Sequence, residues 1–100
     1  MAIFEIVLPR EDPALQADLA AALVGEGRVE PSRIQPKDIG TLIAVVSGGA
    51  KAVELLWRWY QRKRREKTSL EHVIIVTPAG RRFYLREVDL ETLKALLGVA

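Results

Sequence analysis

One hundred residues with 49% hydrophobic and 28% charged side chains suit one globular domain, long enough to bury a core without covalent staples. The chain has no cysteine, which removes disulfides, thiolate metal sites and cysteine nucleophiles together and fits a reducing cytoplasm. Its net charge of +2 is unevenly placed: Arg58, Arg62, Lys63, Arg64, Arg65 and Lys67 form a basic block in which Glu66 is the only acid, so the remainder of the chain is net acidic.

The N-terminal run AIFEIVLP alternates with period two, Phe4, Ile6 and Leu8 against Ile3, Glu5 and Val7, and Pro9 ends it. Apolar on one face and nearly so on the other, it is expected at the centre of a sheet. It has neither a basic region before the apolar run nor a small-residue cleavage site, and is not read as a signal peptide. Asp12 and Pro13 then mark a helix start, and Leu15, Leu19, Ala22 and Leu23 form one apolar stripe that Gly25 and Gly27 close. In RVEPSRIQPKD, a short strand over 29–35 is expected, confined to an edge by Pro31.

The next segment, IGTLIAVVSGGAKAVELLWRWYQRKRREK, carries most of the functional question. A helix from about Asp38, as its N-cap, to Arg65 is expected, bent or broken at Gly48-Gly49. Thr41 to Val46 is β-branched enough to be a buried strand instead. On a helix, Gly40, Ala44, Gly48 and Ala52 would line one side and admit another backbone closely, either the domain's own sheet or a second copy. Unbroken, such a helix would overhang a domain of this size and project its basic end into solvent. Trp57 and Trp59 lie about 200° apart on a helix, so at least one of them, with Tyr60 beside it, is a candidate contact residue.

Downstream, strands are expected over 72–77 and 81–87, joined by a tight Thr77-Pro78-Ala79-Gly80 turn. Asp89 is placed to cap a last helix, with Val88 and Leu93 as a hydrophobic staple, Leu90, Leu96 and Leu97 on its apolar face and Gly98 at its end. The sequence therefore predicts a single α+β domain over residues 1–100. Its elements run β-α-(β)-α-β-β-α, with a three- to four-stranded sheet packed against helices.

Three functional classes compete. A membrane span is excluded by length, because only twelve uncharged residues precede Lys51. An interfacial membrane contact through Trp57, Trp59, Tyr60 and the basic block is the least favoured reading. A nucleic-acid interface would use Arg58, Arg62, Lys63, Arg64 and Arg65 with Arg81 and Arg82, although cations in a helix's last turns also complement its dipole. A protein-interaction surface would use Gly40, Ala44, Gly48, Ala52, Trp57, Trp59 and Tyr60. Catalysis has little support: His72 is the sole histidine, no serine sits in a nucleophile motif, and Gly48-Gly49 near Lys51 lacks the GxxxxGK[ST] phosphate loop. No cofactor or metal is called for.

The succession of Ser47-Gly48-Gly49-Ala50, a tryptophan at 57 or 59, the Arg62–Arg65 block and Thr77-Pro78-Ala79-Gly80-Arg81-Arg82 resembles the effector-associated constant component family, first type, of bacterial conflict systems. The resemblance runs from Asp12 to Leu97. It implies a small non-enzymatic cytoplasmic module that recruits or regulates a partner, an effector or NTPase-type signalling protein, and that also self-associates. The family supplies no established site residues. Pro31, Pro36 and the density of the basic run depart from its pattern and keep nucleic acid as the alternative.

Overall fold

The computed structural model describes residues 1–10, 14–36, 40–66 and 68–99. Among them the order is β1 (Ala2–Pro9), α1 (Ala14–Ala22), β2 (Gly27–Pro31), β3 (Thr41–Gly48), α2 (Ala50–Lys63), β4 (Ile74–Val76), β5 (Arg82–Tyr84) and α3 (Leu90–Leu97). Short 3₁₀ turns cover Thr68–His72 and Leu85–Glu87. The strands form one antiparallel sheet in the order β2-β3-β1-β4-β5. This is the predicted α+β class with a larger sheet than the three or four strands expected.

The extra strand comes from the segment read as a long helix. Thr41, Ile43, Val45 and Val46 are β-branched, and β3 pairs over its whole length with β1, from Ala2↔Gly48 to Pro9↔Thr41. The chain then turns at Gly49, in extended conformation with φ −96°, and α2 begins at Ala50. Its 14 residues rise roughly 21 Å, which stays inside the 34 Å longest dimension, so no helix end overhangs. The proposed caps Asp12 and Asp38, and Pro13 at a first helical position, lie outside the described residues.

Other local signals match. β1 is the central strand, and β2 lies at an edge as Pro31 requires, although it occupies Gly27–Pro31 rather than 29–35. Between β4 and β5, the Gly80 amide donates to the Thr77 carbonyl at 2.9 Å, with Gly80 at φ +87°, a value that favours glycine. These two strands are shorter than expected: His72 belongs to a 3₁₀ turn, and the last rung joins the Leu85 amide to the Val73 carbonyl before Leu85 turns into the core. On α3, the Asp89 carboxylate accepts a 2.7 Å hydrogen bond from the Thr92 amide, and Gly98 closes the helix at φ +74°.

All three helices pack on one side of the sheet. The alternate residues Ala2, Phe4, Ile6 and Leu8 of β1 share one buried cluster with Leu15 and Leu19 of α1, Leu23 just beyond it, Val53, Leu56, Trp59 and Tyr60 of α2, and Leu93 and Leu97 of α3. At the β2 side, the Gln35 side chain completes the ladder where β2 stops. Its Oε1 accepts from the Ile43 amide at 2.9 Å and its Nε2 donates to the Ile43 carbonyl at 3.0 Å.

Candidate functional site

Of the sequence-predicted interaction residues, Ala44, Gly48, Ala52, Trp59 and Tyr60 are buried, Trp57 is half-buried and Gly40 is exposed. Gly40, Ala44 and Gly48 do not line a helix with Ala52; Gly40 precedes β3, Ala44 and Gly48 belong to β3, and Ala52 lies in α2. The small-residue idea survives in another form, because Gly48 and Ala52 meet. A Cβ on Gly48 would collide with the Ala52 methyl and come within 3.1 Å of the Glu26 carbonyl, and one on Gly27 would lie 2.7 Å from the Ser47 carbonyl. These residues let α2 leave β3 tightly beneath β2, a role inside the fold. Trp59 and Tyr60 are fully buried, and Trp57 is half-buried with its indole N–H 3.4 Å from the Val88 carbonyl it donates to. The helical separation of the two tryptophans thus puts Trp59 in the core and Trp57 at its margin.

The basic residues are separated too. Arg58 pairs with Glu54 at 2.6 Å, and Lys63 pairs with Asp18 at 2.9 Å and lies 3.9 Å from Glu66. The Arg64 guanidinium lies over the Tyr60 ring, while Arg62 and Arg65 are exposed. α2 starts beside the Ala2–Gly48 end of the sheet and runs back towards the other end, whereas Arg81 and Arg82 follow the hairpin turn at the end where α2 starts. The two halves of the expected nucleic-acid surface therefore point to opposite ends of the domain. Lys67, the last member of the block, lies outside the described residues.

What the fold leaves open is the second face of the sheet. The strand registers place Glu30, Val45, Glu5, Val76 and Arg82 in one row, and Ile43, Val7, Ile74 and Tyr84 in the next. Ile3 and Ser47 form a third row with Arg28. None of these side chains belongs to the helix-covered core. Ile3 is 57% exposed and Tyr84 36%, while Val45, Val76, Ile43 and Ile74 are half-buried. Glu5 lies near the middle of this face and forms no ion pair among the described residues. Two shallow grooves flank it, one lined by Ile3, Val45, Val76 and Pro78, the other by Ile74, Phe83 and Tyr84. An apolar surface rimmed by Arg28, Glu30 and Arg82 is the form a protein-binding site takes.

The sequence carried a trace of this face: Ile3 and Val7 are apolar on the side of β1 opposite Phe4, Ile6 and Leu8. That pattern predicts a strand at the centre of the sheet, which β1 is, and leaves open which faces are covered. With all three helices packed on one side, Ile3 is left at the surface, while Val7 at the centre of the sheet is only 7% exposed.

The perturbed titrations lie elsewhere. Burial pushes the Tyr60 phenol above its ordinary value, against a downward pull from Arg64 and then Arg86, with Glu71 adding a smaller upward push. The buried Trp59 Nε1 and Tyr60 Oη have no hydrogen-bond partner among the described residues. Among those residues, no group of three His, Asp or Glu side chains could hold a metal ion, and no helix is long and apolar enough to cross a membrane. No family model matches this chain, and no curated protein or solved structure is found to be similar to it.

Proposed function

We propose that this chain is a non-catalytic cytoplasmic adaptor whose bare sheet face binds a partner protein, in keeping with the effector-recruiting role implied by its resemblance to effector-associated constant components. The observation that carries the reading is the apolar face around Ile3, Val45, Val76 and Ile74, uncovered by any described element. Glu5 favours a different protein over a second copy. Two copies stacked about a two-fold axis at the centre of this face would bring Glu5 against its own symmetry mate, and like charges opposed in an interface are costly. A partner presenting apolar residues around one cation satisfies the face better. An effector or NTPase-type signalling protein encoded beside this chain is the natural class to examine.

The test is co-expression with the product of the adjacent gene, followed by light scattering of the purified material. The expected result is a heteromeric complex that Ile3→Glu and Val45→Lys abolish, while Arg62→Glu and Arg65→Glu leave it intact. Survival of the complex in both face variants, or its loss only in the basic-block variants, would overturn the reading. A stable dimer of the chain alone that Ile3→Glu dissociates would replace the partner protein with a second copy.

A further inference from the structure

The two outer strands of the sheet offer very different edges. Along β2, pairing of the Ser32 amide with the Ile43 carbonyl at 2.9 Å turns Gly27, Val29 and Pro31 outward by alternation. Gly27 already donates its amide to the Leu23 carbonyl at 2.8 Å, and Pro31 has no amide to give. Only Val29 offers a free outward donor. This edge is closed to another strand.

Along β5 the alternation falls the other way. The Thr77 amide bonds the Arg81 carbonyl at 2.9 Å and the Leu85 amide bonds the Val73 carbonyl at 3.0 Å, with Ile75 opposite Phe83 between them. The N–H and C=O groups of Arg82 and Tyr84 therefore point away from β4, towards the open side. The Tyr84 carbonyl caps the 3₁₀ turn over Leu85–Glu87, which leaves the N–H and C=O of Arg82 and the N–H of Tyr84 for a partner strand. Beside them lies the groove formed by Ile74, Phe83 and Tyr84, with Arg82 and Glu87 at its rim. Arg81 and Arg82 are exposed and form no ion pair among the described residues. Arg86 holds its guanidinium 4.6 Å from the Tyr84 ring centre.

The geometry points to β5 as a docking edge for an extended acidic segment of a partner protein, added to the sheet as a sixth strand. The partner's backbone would pair with Arg82 and Tyr84, alternate side chains would enter the groove, and carboxylates would meet Arg81, Arg82 and Arg86. Charge decides against a second copy as the occupant. Two β5 strands side by side would gather six arginines and only two Glu87 carboxylates at one seam. This edge borders the bare face and shares Ile74, Arg82 and Tyr84 with it. Only the edge uses the outward backbone groups of β5, so a test of backbone pairing separates the two.

A pair of substitutions at Tyr84 separates backbone pairing from side-chain contact. Tyr84 has φ −77°, which proline adopts, and its N–H takes no part in the β4–β5 ladder. Tyr84→Pro removes the outward donor, whereas Tyr84→Ala removes the ring and keeps the donor. The probe is a capped hexapeptide alternating glutamate and valine, titrated into the full chain and followed by amide chemical shifts. Expected are shifts centred on Arg82 and Tyr84, and about tenfold weaker binding in Tyr84→Pro than in Tyr84→Ala. Arg82→Glu combined with Arg86→Glu should weaken binding by about tenfold, and Ile3→Glu should leave it unchanged.

Equal binding by the two Tyr84 variants, equal binding of a lysine–valine peptide, or shifts centred on Ile3 and Val45 would each overturn the proposal. Should Tyr84→Pro lose the folded spectrum, backbone N-methylation of the peptide makes the same test on the wild-type chain. Undiminished binding of the methylated peptide would then be the refuting result. Dimerisation of the chain through β5 would name a second copy as the occupant and refute the acidic segment.

Discussion

Ile3 and Phe4 are neighbours on the same strand, but Phe4 is 3% exposed and Ile3 57%. The difference follows from the two sides of the sheet. Phe4 faces α1, α2 and α3, which supply Leu19, Leu56, Trp59 and Leu93 to the same cluster, whereas Ile3 faces the side where no described element packs. Similar residue types thus serve stability on one side and remain available for binding on the other. Hydrophobicity alone does not say which; the placement of the helices does.

The contrast is broken most severely from the covered side. Trp59→Ala should cost about 3–5 kcal/mol in denaturant unfolding, because a fully buried ring leaves a cavity beneath α2. A loss below about 1 kcal/mol would mean that the helix layer does not depend on that ring. Gly48→Ala comes next, at about 1–3 kcal/mol, since its new methyl would collide with Ala52. A larger side chain at Gly48 would therefore report on folding before it reported on any interface. Ile3→Lys on the bare side should move stability by no more than about 0.5 kcal/mol while removing partner binding. If it unfolds the chain as readily as Trp59→Ala, the two sides are not functionally distinct.

Two smaller effects sharpen the picture. Tyr60→Phe deletes a buried hydroxyl that has no partner among the described residues, so stability should hold or rise by up to about 1 kcal/mol. A marked fall in the melting temperature would reveal an unseen partner for that oxygen. The Asp89 carboxyl is held below its usual value first by the hydrogen bond it accepts from the Thr92 amide. Its contribution is present above the ordinary aspartate range and lost as pH falls through the folded-state value. The melting temperature should therefore decline as pH drops below about 4, and Asp89→Asn should flatten part of that decline.

Much of the fold was readable locally. The alternation of β1, the Thr77-Pro78-Ala79-Gly80 turn, the Asp89 cap and the restriction placed by Pro31 each depend on a few adjacent residues. β3 was harder because Gly40, Ala44, Gly48 and Ala52 recur every four residues, imitating a helix through a segment whose β-branched side chains fit a strand. Pairing with all of β1 settled the competition, and that pairing is a long-range event. The candidate site was less legible than the fold. Trp59 and Tyr60 carry surface-friendly polar tips but lie inside, while Val45, expected to pack around a helix contact, stands with Ile3 on the open side of the sheet. The separation of Arg81 and Arg82 from the α2 cations likewise depends on the direction in which α2 crosses the sheet.

Gln35 has a consequence for which chemistry its position tolerates. Its amide serves Ile43 as a one-residue substitute for a neighbouring strand, giving a donor to the carbonyl and an acceptor to the amide. Glutamate at 35 would still accept from the Ile43 amide but would set an anionic oxygen against the Ile43 carbonyl. Replacing one NH₂ by an oxygen, as deamidation does, would undo half of that seal. The Ser32 amide would still hold the Ile43 carbonyl. The cost would be an anion set against the Ser32 and Ile43 carbonyls that Nε2 now serves, loosening the corner where β2 ends.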